Sequence, residues 1–173
     1  NYTFRRGSGH DVIKEYDGIF GTEDSIDTLT LEGLNREDVE FSRSAADPLS
    51  IVITIKDTGE TLTLDGTPYD DAYNDLVNAP DDVFVPFDRA GAHWIERIIF
   101  ADGSELSQRD VEQLVYDTER TDGADTFFNF GAPSSSFSSP EGSMIDGGAG
   151  NDTIINQFDD VYVAMSAGTG SDT

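Results

Sequence analysis

Apolar residues alternate with polar ones through Val39-Glu40-Phe41, and they run together through 49–55 (LSIVITI). The longer run is strand-sized, and a matching run at 61–65 (TLTLD) follows it across Asp57-Thr58-Gly59-Glu60. Two such runs around a glycine-bearing turn predict a β-hairpin. Residues 94–100 (WIERIIF) run into Ala101-Asp102-Gly103-Ser104, a second turn of the same kind. Ser107 then precedes a helix predicted over 108–116, with Asp110 in its first turn and Val111, Leu114 and Val115 on one face. Residues 66–92, with Pro68, Pro80 and Pro86, read as a long ordered loop. No apolar stretch has transmembrane length, and no basic segment followed by an apolar one opens the chain.

Outside this middle region the periodicity changes. Residues 147–155 read GGAGNDTII, matching a nonapeptide G-G-x-G-x-D-x-U-x in which U is a large apolar residue. Residues 6–14 (RGSGHDVIK) and 167–173 (AGTGSDT) match apart from their first position, and the latter stops before its apolar residue. Residues 120–128 (RTDGADTFF) keep Gly123, Asp125 and Phe127 in phase. Asp125 and Asp152 stand 27 residues apart, three nines, with poorer turns at 129–137 and 138–146 between them. The texture divides the chain into 1–33, a turn with short strands; 34–116, a denser β region; and 117–173, where the nonapeptides return.

Each nonapeptide has a physical division of labour. Its last residues form a short strand carrying one apolar side chain (Ile13, Phe127, Ile154), and its glycines turn a corner closed to other residues. The aspartate adds a carboxylate oxygen. One corner supplies about half of the 6–8 oxygens that Ca²⁺ takes, so a neighbouring corner must supply the rest. The metal positions predicted on this pattern are Gly7, Gly9, Asp11, Asp27, Gly123, Asp125, Gly148, Gly150, Asp152, Gly168, Gly170 and Asp172. The best site is placed between 147–152 and 167–172. A second joins Asp125 to the turn near Glu141–Ser143, and a third joins Asp11 to the acidic turn ending at Asp27.

Composition sharpens this picture. Thirty-five acidic residues face ten basic ones, a formal charge of −25, which repels nucleic acid and anionic membranes and favours cation partners. There is no cysteine and only two histidines, so thiolate and imidazole-rich metal sites are excluded, leaving oxygen-ligand metals. No nucleophile elbow occurs, and Ser134-Ser135-Ser136 has no base nearby, so the chain reads as a non-enzyme. A glycan platform of Tyr69, Tyr73 and Trp94 is the competing reading.

These nonapeptides resemble the RTX, or haemolysin-type, calcium-binding repeats of proteins exported by type I secretion. The segments YTFRRGSGHDVIKEYDG, DTLTLEGL, LSIVITI, TLTL and ERIIFADGSEL are similar to the haemolysin-type calcium-binding-related domain found among such repeats. The resemblance implies an all-β fold with a parallel β-roll, Ca²⁺ held by repeat loops, an unfolded calcium-poor state during export, and folding outside the cell. The expectation is therefore a calcium-dependent structural module of a large secreted adhesin, fibre or toxin. Thr173 joined to Asn1 gives an unbroken turn–strand–turn sequence, so the chain reads either as one period of a head-to-tail array or as a stretch cut at an arbitrary point inside a repeat tract. Its expected partners are calcium ions, neighbouring modules of the same or an identical chain, and cell-surface glycans.

Overall fold

A computed structural model describes residues 1–14, 26–66, 95–130, 144–155, 164–166 and 168–173. Eight strands build two four-stranded sheets. The first has the order β1 (Tyr2–Arg5), β3 (Thr28–Glu32), β7 (Arg97–Ile99), β8 (Glu105–Ser107). Its first two pairings are parallel and the last is antiparallel. The second has the order β2 (His10–Ile13), β6 (Thr61–Leu64), β5 (Ile51–Ile55), β4 (Val39–Arg43), parallel only at the β2–β6 edge. Four short strands make two parallel pairs, β9 (Thr126–Phe128) with β11 (Thr153–Ile155) and β10 (Met144–Asp146) with β12 (Ala164–Ser166).

This is not the parallel β-roll expected from the repeats. The sheets are flat and mixed, and none of them closes or curls into a coil. The reason is visible in the two predicted hairpins. The turns at 57–60 and 101–104 return the chain antiparallel, β5 against β6 and β7 against β8. A coil of successive rungs needs parallel crossovers instead. The nonapeptides dictate a local corner, while the middle of the chain dictates the sheets.

Side-chain alternation places the core. On β5, Ile51, Ile53 and Ile55 are buried while Val52 and Thr54 are half-buried; on β3, Leu29 and Leu31 play the same part. Each such side chain contributes roughly 1.5–3 kcal/mol when fully buried. The helix α1 (Gln108–Glu119) covers this core with Val111, Val115 and Tyr116, one turn longer than its apolar pattern predicted. Phe127, Phe130 and Ile145 join the same cluster, so the glycine-rich end shares one core with the sheets.

Helix α1 starts where Ser107 caps it. The Ser107 hydroxyl accepts from Asp110 N at 3.3 Å, and the Asp110 carboxylate accepts from Ser107 N at 2.8 Å. The Ser107 hydroxyl and amide together hold the Asp110 carboxyl below the usual carboxylate range. At the other end of the helix, Arg43 of β4 donates from Nε to Glu119 at 2.6 Å and from a terminal nitrogen to the Phe128 carbonyl at 2.9 Å. Its guanidinium lies 3.9 Å from the Phe130 ring centroid. One largely buried cation thus ties β4, α1 and β9 together.

Replacing Arg43 by Ala leaves Glu119 without its counter-ion and is expected to cost roughly 3 kcal/mol in urea unfolding. Ser107→Ala should cost about 1 kcal/mol. Because Asp110 has a depressed pKa in the folded state, its contribution is present above the ordinary carboxylate range and is lost as pH falls through the depressed value. Asp110→Asn should therefore flatten that acid limb in pH-dependent unfolding.

Candidate functional site

The C-terminal glycine turns stack on one another. Thr126 stands opposite Thr153 and Phe127 opposite Ile154, so the 27-residue spacing becomes direct strand pairing. The corner at 147–152 lies between those at 120–125 and 168–173, because Ala149 also bridges Thr169 and Thr173 N donates to the Asp152 carbonyl at 2.9 Å. The contact is close enough to exclude any side chain. A Cβ at Gly170 would lie 1.5 Å from the Gly150 carbonyl oxygen, and one at Gly168 would lie 1.9 Å from that of Gly148.

The sixth-position aspartates link these turns in a chain. Asp172 Oδ1 accepts from Asp152 N at 3.0 Å, and Asp152 Oδ1 accepts from Asp125 N at 2.9 Å. Asp125 closes the series on Thr121, taking its amide at 2.7 Å and its hydroxyl at 2.8 Å. Asp125 thus meets Asp152 directly; the predicted partner turn at 141–143 lies outside the described residues. Asn151 and Asp146 escaped the sequence reading. Asn151 accepts from Ser171 N at 3.0 Å, and Asp146 accepts from Gly148 N at 3.2 Å while pairing with Arg120 at 2.6 Å.

Asp152 is set apart from its neighbours. It is 1% exposed, and among the described residues its Oδ2 has no hydrogen-bond donor. A carboxylate buried in this way is costly without a positive partner. The donor chemistry suits a hard divalent cation, which takes carboxylate and carbonyl oxygens. In the stack, Asp125 and Asp172 are the carboxylate residues joined to Asp152 by hydrogen bonds.

The N-terminal corner carries the same motif and the opposite chemistry. Gly7 and Gly9 adopt φ of +89° and +84°, conformations open to glycine, and point their amides at the hairpin tip. Gly7 N donates to both Glu60 carboxylate oxygens at 3.0 Å, and Gly9 N donates to Oε1 at 3.1 Å. The Thr58 hydroxyl adds a fourth bond at 2.9 Å. These donors, Gly7 first, hold the Glu60 carboxyl below its ordinary range. Asp11 stays exposed on β2 opposite Leu62, and Asp27 gives its amide to Glu96 at 2.7 Å. Asp11 and Asp27 thus belong to separate neighbourhoods, and the residue that completes this corner is Glu60, which no nonapeptide pattern reveals.

Tyr69, Tyr73 and Trp94, the expected glycan platform, lie outside the described residues. Among the described residues no three acidic or imidazole groups cluster as a metal site. Together with the flat sheets, this overturns the expected calcium-dependent RTX structural module and its β-roll. No described helix is long and apolar enough to cross a membrane.

A model described as the haemolysin-type calcium binding protein related domain matches residues 51–110. That span covers β5 to β8, including Glu60, and stops at the first turn of α1; the stacked corners around Asp152 lie beyond it. Comparison with curated proteins gives no match.

Gly168→Ala should open the C-terminal stack, since it meets the Gly148 backbone and carries a φ of +76°. The expected cost is roughly 1–3 kcal/mol, seen as faster hydrogen exchange at the amides of Asp152 and Thr173 with little change at β5.

Proposed function

We propose that this chain is a calcium-ion-binding domain of a protein that works outside the cell, with the ion seated at the Asp152 corner. The observation that carries the reading is the buried, donor-less Asp152 Oδ2. The family description of residues 51–110 supports the choice of calcium, and the charge of −25 supports a cation partner. Asp152 supplies the anchoring oxygen, while Asp172 and the corner carbonyls supply others, with water completing the shell. The bound ion neutralises a buried carboxylate and cross-links two glycine turns. The role is binding, not catalysis.

The ion in this reading secures one corner and does not create the fold. The two sheets and α1 already share an apolar core. Extracellular modules bind Ca²⁺ with Kd of about 10⁻⁴–10⁻³ M, so millimolar calcium outside cells is the matching supply.

At about 100 Kd of calcium, stability should rise by roughly 2.7 kcal/mol, a melting shift of roughly 5–10 °C for a chain of this size. In EDTA the far-ultraviolet β signal should persist. Asp152→Asn should lose the calcium shift and be no less stable than the parent in EDTA, because it removes an unpaired buried charge. Asp11→Asn should keep the shift. An undiminished calcium response in Asp152→Asn would place the ion elsewhere and defeat the assignment.

A further inference from the structure

The corner at 6–9 and the hairpin tip at 57–60 exchange charged groups in both directions. The corner gives Arg6 to the hairpin side: Nε donates to Asp57 at 2.9 Å, one terminal nitrogen donates to Asp38 at 3.2 Å, and the other donates to the Gly33 carbonyl at 2.9 Å. The hairpin returns Glu60, whose two oxygens fill the space between the amides of Gly7 and Gly9. Backbone amides converging from a turn form a concave nest with a partial positive charge, here those of Gly7 and Gly9, since Ser8 N donates to the Arg5 carbonyl at 3.1 Å. Here the nest already holds an anion, and the anion is a side chain more than fifty residues away in the sequence.

We infer that the Gly7-Ser8-Gly9 corner is a carboxylate-binding site closed from within by Glu60, and that an acidic side chain of a partner is the chemical class able to replace it. The planar carboxylate fits because two oxygens meet converging amides, with Gly7 N shared equally between them. The occupant is also poised to leave. Thr58 and Gly59 at the hairpin tip are exposed, Glu60 is only half-buried, and Gly7 is open to solvent. The Glu60 side chain can therefore leave the amides while its backbone carbonyl still accepts from Ile55 N at 2.9 Å and the core residue Leu62, two positions on, stays in place. Displacement frees the tip from the amides while Arg6 keeps the corner tethered to Asp57 and Asp38. This inference stands apart from the calcium reading, which concerns the other end of the chain.

The test is chemical rescue followed at the two amides. In Glu60→Ala, sodium acetate should shift the Gly7 and Gly9 ¹H–¹⁵N resonances downfield with one saturating curve, and restore most of the melting temperature lost on substitution. Sodium chloride at equal ionic strength should do neither. In the parent chain acetate should leave both resonances in place until Glu60 is displaced at far higher concentration. If inorganic phosphate saturates the variant at tenfold lower concentration than acetate, the site belongs to phosphate and the carboxylate assignment fails. If acetate moves neither amide, there is no site. Should Glu60→Ala not fold, Glu60→Gln answers the same question. Loss of the downfield position of both amides supports a carboxylate-specific nest, and its retention overturns it.

Discussion

A backbone amide left unpaired where the chain turns is a debt of hydrogen bonding that every fold must settle. This chain settles it with carboxylates. Glu60 takes the amides of Gly7 and Gly9, Asp38 that of Asn35, Asp102 that of Ser104, Asp110 that of Ser107 and Glu96 that of Asp27. At the glycine-rich end Asp125, Asp152 and Asp172 do the same for Thr121, Asp125 and Asp152. Hydrogen bonds to a charged acceptor are stronger than neutral ones. A chain with many glycine and Asx corners therefore has a structural use for acidic residues quite apart from metals.

That use reframes the net charge of −25. Accepting an amide hydrogen spreads a carboxylate's charge but does not cancel it, so self-repulsion remains. Few cations are available to offset it, and those present are placed with care. Arg43 is committed to Glu119, Arg97 to Glu105, Arg120 to Asp146, and Arg6 to both Asp38 and Asp57. Most of the carboxylates in these contacts keep some access to water. Among the described residues, Asp152 and Glu112 are the carboxylates buried from it.

Much of the local structure was legible in the sequence. The apolar run at 49–55 and its matching run at 61–65 became β5 and β6, the Asp-Gly turn at 102–103 joined β7 to β8, and Ser107 capped α1. The spacing of 27 between Asp125 and Asp152 became a register, Thr126 against Thr153. What the nonapeptides could not convey was how far their geometry extends. Each one encodes a corner and three residues of strand, and the next strand's direction is set by the turn that follows. Two antiparallel turns were enough to yield mixed, open sheets in place of a coil. Glu60 was equally hidden: its role depends on β6 pairing parallel with β2, His10 against Thr61, which sets the hairpin tip beside the corner, and nothing local marks that pairing.

The two ends of the chain show how little a motif says about the ligand it holds. RGSGHD and GGAGND share two glycines and their aspartate, yet the first receives an anion and the second leaves one carboxylate oxygen without a donor. The difference lies in what packs against the corner. At 147–152 a turn lies on either side, the aspartate is enclosed, and its amide and one oxygen are used by neighbours, so the remaining oxygen faces inward with nothing to meet it. At 6–11 the neighbour is a hairpin tip, Asp11 stays in solvent, and the converging amides find Glu60 first. Stacking encloses an aspartate oxygen that meets no donor, and its absence leaves the same backbone as a cradle for negative charge. The charge that a corner presents is therefore a property of the contact between elements, and the glycines only make either outcome possible.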